Sequence, residues 1–488
     1  MTNTQKPSIG KNYILNLSYQ ILTIIIPVIT MPYISRVFGA TTVGLQSYAY
    51  SYVSYFLLLA ALGTTTYAQR EIARIREDKV KRTEVFWELF LLRLLFSVIS
   101  TGLYLLFCFR FVDVQDRPLF LVQIVYIISC AADITWLFQG IEDFGTVVIR
   151  NTIVKLVNII FIFLFVKSPN DLVLYVLGLA GFPMIANVLV WISARKYIVP
   201  CSMNKLKPMR HFKGTFALFI PTIASQVYMV VDKTMLGIIS PTTDENGYYE
   251  QAEKIVRIAL TIYSSLGAVV MPRVASLYSQ NKKEEVRSLL LKSTRFMWMI
   301  ASALFWGLIS ISYHFVPWYL GSGFSKASLL IVIFSWLVFA VGLSNVVAVQ
   351  FLVPIKKQNI FTISVVAGAI INLVLNAVLI PMYLSVGAAF ASIIAETLIT
   401  SIQVFYSIRV LKIFSLKDLF NSFPKYFLFG AVMGIAIFLL SQIVPTSFFG
   451  TMMLVLIGSG IYIMLLVLFK DSATIEFLKS IKRRFRLK

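Results

Sequence analysis

Charged side chains interrupt several of the long apolar stretches of this sequence. The basic residues within these stretches or at their ends are Arg36, Arg93, Lys155, Lys233, Lys254 and Arg257. The acidic residues are Glu88, Asp133, Asp232, Glu250, Glu253 and Glu396. An ionisable group in an apolar layer costs about 3 kcal/mol, so it usually faces the interior of a helix bundle and pairs with or binds something polar. These residues therefore outline a candidate binding path.

The basic residues have the chemistry to bind an anion such as a pyrophosphate. Arginine can bind a phosphate group through two parallel hydrogen bonds, and lysine supplies a point charge. Lys254 and Arg257 are three residues apart, so they share one face of a helix. The first apolar stretch contains no acidic residue, whereas a site for a cationic drug would need acids. The pattern favours an anionic ligand over a cationic one.

Each of these cations also has a structural alternative. The acids Asp232, Glu250 and Glu253 are placed to neutralise Lys233, Lys254 and Arg257, and Glu88 and Asp133 are the expected partners of Arg93 and Lys155. Arg36 lies near the end of its stretch, where a long side chain can reach the membrane interface. Structural ion pairs and ligand binding therefore remain two open interpretations of the same residues.

Glu396 differs from the other acids because no cation lies in its own or the adjacent apolar stretches. It is a candidate for binding a coupling proton or cation, and Asp232 is a second candidate for that role. The alternative is a protonated Glu396 that forms a hydrogen bond.

These residues must be positioned by helices that cross a membrane. Hydrophobic residues make up 58% of the chain and the mean hydropathy is +0.82. We recognise about 14 apolar stretches of about 20 residues, the length that spans a bilayer core, and the first two are expected over 12–34 and 43–66. The prediction is an all-α integral membrane protein.

Most of the 44 Lys and Arg residues lie in alternate gaps between the apolar stretches, and the other gaps contain few. The positive-inside rule places the basic loops and both termini in the cytoplasm. The net charge of +22 is therefore expected to orient the chain and to meet anionic membrane lipids, and no nucleic-acid partner is expected.

The sequence argues against an enzyme and against a bound metal or cofactor. The two histidines, His211 and His314, fall near opposite faces of the membrane, so a zinc site lacks ligands. No glycine-rich loop of the kind that holds ATP phosphates is present, and the loops are too short for a catalytic domain. We expect no cofactor, no metal and no catalytic residue.

The two halves of the sequence have similar residues at corresponding positions, which indicates an internal repeat. Pro27, Arg36 and Gly39 in the first apolar stretch are matched by Pro221, Lys233 and Gly237 in the seventh. We expect two pseudo-symmetric six-helix lobes, 1–203 and 204–412, followed by two additional helices and a basic cytoplasmic tail in 413–488. Parallel repeats of this kind are used by transporters that work by alternating access, with the binding site between the lobes.

The sequence contains four short motifs that are informative together: Pro32 to Arg36 with Gly39 and Gly44, Gln69 to Ala73, Trp136 to Glu142, and Val231 to Lys233 with Gly237. These motifs resemble those of bacterial polysaccharide flippases of the Wzx type. Such flippases form part of the polysaccharide-transport branch of the multidrug/oligosaccharidyl-lipid/polysaccharide (MOP) superfamily.

This resemblance implies a transporter of the bacterial cytoplasmic membrane. Its substrate would be an undecaprenyl-pyrophosphate-linked oligosaccharide, moved from the inner to the outer leaflet for capsule or exopolysaccharide synthesis, and a polysaccharide polymerase would be a possible partner. The alternatives are a flippase for a peptidoglycan or teichoic-acid lipid precursor, or a multidrug or cation antiporter of the same superfamily.

Overall fold

The computed structural model describes residues 9–409 and 411–471, and within these ranges the chain is helical and contains no strand. The basic tail expected beyond residue 471 lies outside the described residues. The helices are α1 (Ile9–Ala61), α2 (Thr64–Arg74), α3 (Lys79–Phe111), α4 (Arg117–Val122), α5 (Ile124–Ala132), α6 (Thr135–Gly140), α7 (Phe144–Phe165), α8 (Leu172–Ala194), α9 (Phe212–Ile239), α10 (Asp244–Ser279), α11 (Lys283–Tyr319), α12 (Ser325–Phe334), α13 (Leu337–Ser344), α14 (Gln358–Tyr383), α15 (Ser385–Arg409), α16 (Leu416–Phe420), α17 (Phe423–Ser441) and α18 (Phe448–Leu468).

Many of these helices are long and apolar enough to cross a membrane. The described part of the chain has 11 such segments, or 12 when the pair Ser322–Phe334 and Leu337–Leu352, bent by 44°, is counted as one span. The protein is therefore an all-α, multi-pass membrane protein. The number of fourteen spans stays a prediction.

The first two expected spans fall within one helix, α1, which has 53 residues and a break at Gly39. An unbroken helix of that length would measure about 80 Å, far more than the about 30 Å of a hydrocarbon core. Gly39 has φ 70° and ψ 178°, a conformation that is essentially restricted to glycine.

The part of α1 before Gly39 packs against α7. Thr23 accepts a hydrogen bond from Lys155, and Tyr33 donates one to the carbonyl oxygen of Val166. The later residue of α1, Tyr33, contacts the later residue, Val166, at the end of α7. This part of α1 therefore runs parallel to α7.

The part of α1 after Gly39 packs against α3. The ring of Tyr52 stacks on Phe107, and the hydroxyl of Ser100 donates to the carbonyl oxygen of Phe56. The later residue of α1, Phe56, contacts the earlier residue of α3, Ser100. This part of α1 therefore runs antiparallel to α3.

α3 and α7 begin at the same end of the bundle, because Arg76 before α3 and Glu142 before α7 form an ion pair at 2.8 Å. They therefore point in the same direction. Since the first part of α1 is parallel to α7 and the second antiparallel to α3, the chain reverses at Gly39. The two parts of α1 run in opposite directions, as two successive spans would, and the number of crossings they make stays a prediction.

The apolar stretch at 119–138, which is the fourth span expected from the sequence, is broken into α4, α5 and α6. Between α5 and α6, Asp133 has an extended backbone, with φ −73° and ψ 111°. Its side chain accepts a hydrogen bond from the backbone N–H of Thr135 at 2.9 Å, and its carbonyl oxygen accepts one from the Trp136 indole. The break thus places a carboxylate inside an otherwise apolar stretch.

The described residues form two compact units, which divide after Gly237 within α9. We call residues 9–237 the N-terminal unit and 238–471 the C-terminal unit. The lobe boundaries expected from the repeat, 1–203, 204–412 and 413–488, stay a prediction.

The core of the C-terminal unit is built around α11. The Trp298 indole N–H donates to the carbonyl oxygen of Leu419 at 2.8 Å. α13 continues into a π-helical segment, Asn345–Leu352, in which the Gln350 amide accepts from Ser293 at 2.6 Å. α17 and α18 belong to this same unit, since buried side chains of both helices lie in its hydrophobic core.

Candidate functional site

Arg93 is the most buried of the candidate cations, with 3% of its side chain exposed. Its Nε donates to the carbonyl oxygen of Cys130 at 2.7 Å, and one terminal nitrogen lies 3.4 Å from Asp133 Oδ2. The other terminal nitrogen lies 3.3 Å from the hydroxyl of Thr65. The expected pair with Asp133 is present, and the protein itself engages the guanidinium on every nitrogen. Arg93 thus joins α3 to the break between α5 and α6.

Glu88 does not pair with Arg93 or Lys155, as the sequence led us to expect. This buried carboxylate lies 2.5 Å from a terminal nitrogen of Arg210 and 2.9 Å from His211 Nε2, and it accepts a hydrogen bond from the backbone N–H of Lys207. It therefore fixes the segment before α9 to α3. The partners are more than a hundred residues away in sequence, so no local spacing could have indicated them.

Lys155 lies on α7, next to the first part of α1. Its Nζ lies 2.9 Å from the hydroxyl of Thr23 and 4.5 Å from the centre of the Tyr19 ring. In the described ranges, no carboxylate lies within ion-pair distance of Lys155. A hydroxyl and an aromatic face stabilise this cation and leave its charge without an acidic partner.

Asp232 and Lys233 lie near the end of α9, where Asp232 is buried and Lys233 is half-buried. The adjacent Thr234 binds the hydroxyls of Ser51 and Tyr55, both at 2.8 Å. α9 therefore packs against the second part of α1 at this point.

The candidate Arg36 lies three residues before the reversal at Gly39 and is exposed. An exposed position just before a chain reversal is compatible both with ligand binding and with an interfacial role.

In the C-terminal unit, α10 carries two ion pairs that are each formed within the helix. Lys254 Nζ lies 2.7 Å from Glu250, and Arg257 lies 2.7 Å from Glu253, in both cases one helical turn away. The two carboxylates are buried, whereas 42% of each basic side chain is exposed. The acids therefore hold the cations in place on a shared face of α10 while the cationic groups stay accessible.

A third contact on α10 was missed by sequence reasoning. Glu245 is buried at the start of the helix and binds Lys326 Nζ through both carboxylate oxygens, at 2.7 and 2.8 Å. It also accepts a hydrogen bond from the backbone N–H of Ser385 at 3.2 Å. Lys326 thus has a structural role in joining α10, α12 and α15.

Glu396 is half-buried on α15. Ser392, one turn before it, bonds to Tyr249 at 3.0 Å, and Thr400, one turn after it, donates to the carbonyl oxygen of Ala340 at 2.9 Å. Glu396 therefore lies on the face of α15 that packs within the unit. A carboxylate at such a position can hold a proton or take part in buried hydrogen bonds.

Comparison with known proteins places the chain in a family. The polysaccharide biosynthesis protein family matches residues 9–278, which is more than half of the sequence. The chain belongs to this family. The matched region covers Arg36, Arg93, Lys155, Asp232 and Lys233 as well as the ion pairs of α10.

Individual relatives show similarity over larger and smaller parts of the chain. A putative O-antigen transporter of Escherichia coli is 25% identical over 421 residues, which cover 83% of this chain and 98% of that protein. A probable low-salt glycan biosynthesis flippase of Haloferax volcanii is 23% identical over 202 residues, which cover 40% of this chain and 42% of that protein.

Among solved structures, the lipid II flippase MurJ in an inward closed conformation matches this protein with a TM-score of 0.74. The match covers 94% of this chain and 99% of MurJ at 17% sequence identity. At this low sequence identity, the match is evidence for a shared fold and for nothing beyond the fold.

Proposed function

We propose that this protein is a flippase that moves a lipid-linked oligosaccharide across the membrane for polysaccharide synthesis. The observation that carries the proposal is the family match over residues 9–278, supported by a transporter relative that aligns along 83% of the chain. The carrier is undecaprenyl pyrophosphate, the membrane is the bacterial cytoplasmic membrane, and both termini are cytoplasmic. Transport proceeds by alternating access, and the protein performs no covalent chemistry.

The pyrophosphate is bound first of all by Lys254 and Arg257. Their side chains are accessible, lie on one face of α10 and are held in position by buried acids. Arginine and lysine are the residues best suited to a pyrophosphate, because charge-assisted hydrogen bonds to phosphate oxygens are stronger than neutral ones. Lys155, Lys233 and Arg36 are further candidates for the path of the anionic group.

Arg93 has a different role in this proposal. Its guanidinium is almost fully buried and is engaged by Cys130, Asp133 and Thr65. We assign it to positioning α3 against α5 and α6, so that a substrate meets it only if these contacts break.

A cation antiporter is less compatible with these residues. The described part of α1 contains no acidic residue, and in the two ion pairs within α10 the more exposed partners are the basic ones. A cationic drug would require an acidic site, because a like charge in a site of low dielectric repels it.

Two routes can supply the energy. An inside-negative potential drives an anionic head group outward with about 2.3 kcal/mol per charge per 100 mV. Alternatively, Glu396 or Asp232 binds a proton or cation that is exchanged during the return step. Reconstituted vesicles separate these routes, since transport that follows an imposed potential but ignores proton and sodium gradients excludes the second.

The function is tested by depleting the protein from its host and identifying the lipid-linked intermediate that accumulates in the inner leaflet. Accumulation of an oligosaccharide repeat unit of a capsule or exopolysaccharide supports the proposal. Accumulation of a peptidoglycan or teichoic-acid precursor selects a different substrate on the same fold. If no intermediate accumulates and sensitivity to cationic drugs rises, the flippase proposal is wrong.

A further inference from the structure

A cleft with a volume of about 490 Å³ lies within the C-terminal unit, among α11, α13, α15, α16 and α17. Its walls are mostly aromatic and aliphatic, and Trp298, Phe339, Phe405 and Phe423 are among the residues that line it. The volume lies in the range of sites that bind small organic ligands. None of the candidate transport residues lines this cleft.

The polar side chains in the wall of the cleft are occupied by bonds within the protein. The indole N–H of Trp336 donates to the hydroxyl of Thr397 at 3.1 Å. The Thr400 hydroxyl donates to the carbonyl oxygen of Ala340, and the Ser401 hydroxyl to that of Thr397. The wall therefore offers an apolar surface, and an apolar chain would lose no hydrogen bond by lying against it.

One basic residue, Arg409, lines the cleft, and two exposed lysines follow it in the sequence. Arg409 is the last residue of α15, lines the cleft, is exposed and forms no hydrogen bond or ion pair within the described residues. The exposed Lys412 and Lys417 follow in the next loop and helix. The acid of this segment, Asp418, is bound to Arg287 at 2.7 Å and so does not neutralise them.

The length of the cleft corresponds to one leaflet of a bilayer. From Thr397 to Arg409 the helix rises by about 18 Å. Half of a hydrocarbon core of about 30 Å is about 15 Å. A fatty acyl chain that begins at Arg409 would fill this length, whereas a carrier of eleven isoprene units would extend well beyond it.

We propose that this cleft binds one acyl chain of an anionic phospholipid, with the phosphate of the head group at Arg409. The lipid belongs to the leaflet at whose surface α15 ends. It is a partner of the protein distinct from the transported molecule, and the inference does not depend on the proposed function. A phosphate at Arg409 forms charge-assisted hydrogen bonds, and the acyl chain gains burial against the aromatic walls.

The test is native mass spectrometry of the full-length protein, titrated with phosphatidylglycerol or phosphatidylcholine that carry the same acyl chains. We expect one tightly bound phosphatidylglycerol. Arg409→Gln should weaken its binding about tenfold, the effect of one lost charge-assisted contact. Phosphatidylcholine, whose phosphate charge is balanced by its own choline group, should bind more weakly to wild type and lose less in Arg409→Gln. Arg195→Gln, at the exposed end of α8, is the matched control and should change neither.

A second variant tests the cleft itself. Ser401→Phe places a ring in the cleft and should abolish the tight binding of phosphatidylglycerol, whereas Ile370→Phe at an exposed position of α14 should not. Thermal unfolding of each variant shows whether it is folded. If Ser401→Phe does not fold, the binding measured for Arg409→Gln decides the test. Unchanged binding in Arg409→Gln, or in a folded Ser401→Phe, would overturn the proposal. Displacement of the phospholipid by equimolar polyprenyl diphosphate would assign the cleft to the carrier and also overturn it.

Discussion

Arg93 in the N-terminal unit and the two cations of α10 in the C-terminal unit are held in different ways. In the N-terminal unit, Arg93 is 3% exposed and is bound by Cys130 and Asp133, about forty residues away in sequence. On α10 of the C-terminal unit, Lys254 and Arg257 are 42% exposed and are bound by acids one turn away on the same helix.

This difference separates cations that hold helices together from cations that are presented to a ligand. A cation bound by another helix cannot be withdrawn without disturbing the packing of both helices. A cation bound by its own helix keeps its position when a ligand arrives, and its exposed surface remains available. Depth in the membrane alone does not distinguish the two cases, because both kinds of cation interrupt apolar sequence.

The largest effect on stability is expected for Arg93→Ala. It leaves the Asp133 carboxylate and the Cys130 carbonyl oxygen without their buried partner, which typically costs about 3–5 kcal/mol. We expect a large loss of folded protein, measured as yield and thermal unfolding in detergent. The double variant Arg93→Ala with Asp133→Ala should recover part of the loss. An Arg93→Ala variant as stable as wild type would show that Arg93 does not hold the helices together.

A smaller loss is expected for Gly39→Ala, which tests the reversal within α1. A residue with a Cβ atom in this conformation costs about 1–3 kcal/mol. The matched control is Gly102→Ala on α3, since both positions have open space around an added Cβ and Gly102 has no left-handed φ. Thermal unfolding should show destabilisation at position 39 alone, and equal behaviour of the two variants would argue against the reversal.

A loss of about 1 kcal/mol is expected for Tyr197→Phe near neutral pH, the size of one hydrogen bond. Tyr197 donates to Asp143 at 3.0 Å outside the membrane spans, and burial, with a contribution from Asp143, raises its pKa from 10.0 to about 12. Because the folded-state pKa is the higher one, this stabilisation is present below pH 10 and is lost as the pH rises to about 12. The stability difference between wild type and variant, measured by thermal unfolding, should therefore shrink over that interval. A difference that is constant with pH would show that this hydrogen bond does not stabilise the N-terminal unit.

The smallest effect on stability is expected for the local pairs of α10. Pairs one turn apart on a helix contribute about 0.3–0.5 kcal/mol, and removing both charges leaves no buried acid without a partner. Glu253→Gln combined with Arg257→Gln should therefore unfold close to wild type, as should the same exchange at Glu250 and Lys254. A loss as large as that of Arg93→Ala would mean that these pairs are structural.

Much of the fold was predictable from sequence because apolar length and loop charge follow directly from the membrane. The pattern could not show that the first two spans form one helix broken at Gly39, since a glycine in an apolar stretch leaves hydropathy unchanged. Nor could it show the break at Asp133, which depends on bonds to Thr135 and Trp136.

The candidate site was predictable mainly where partners are close in sequence, and the pair of Arg93 with Asp133, forty residues apart, is the exception. The pairing of Glu250 with Lys254 follows from helical spacing. Glu88 pairs with Arg210 and His211, and Lys155 contacts Thr23. Tertiary packing alone brings these distant residues together. A single sequence carries no spacing signal for such contacts.

The most direct test of the account is transport of an undecaprenyl-pyrophosphate-linked oligosaccharide in proteoliposomes, compared between Arg257→Gln and the double variant Glu253→Gln with Arg257→Gln. If Arg257 binds the pyrophosphate, wild type transports the lipid, and both variants lose transport while remaining folded. If Arg257 serves only to neutralise Glu253, the double variant regains transport. That recovery, or no transport by wild type, would contradict the account.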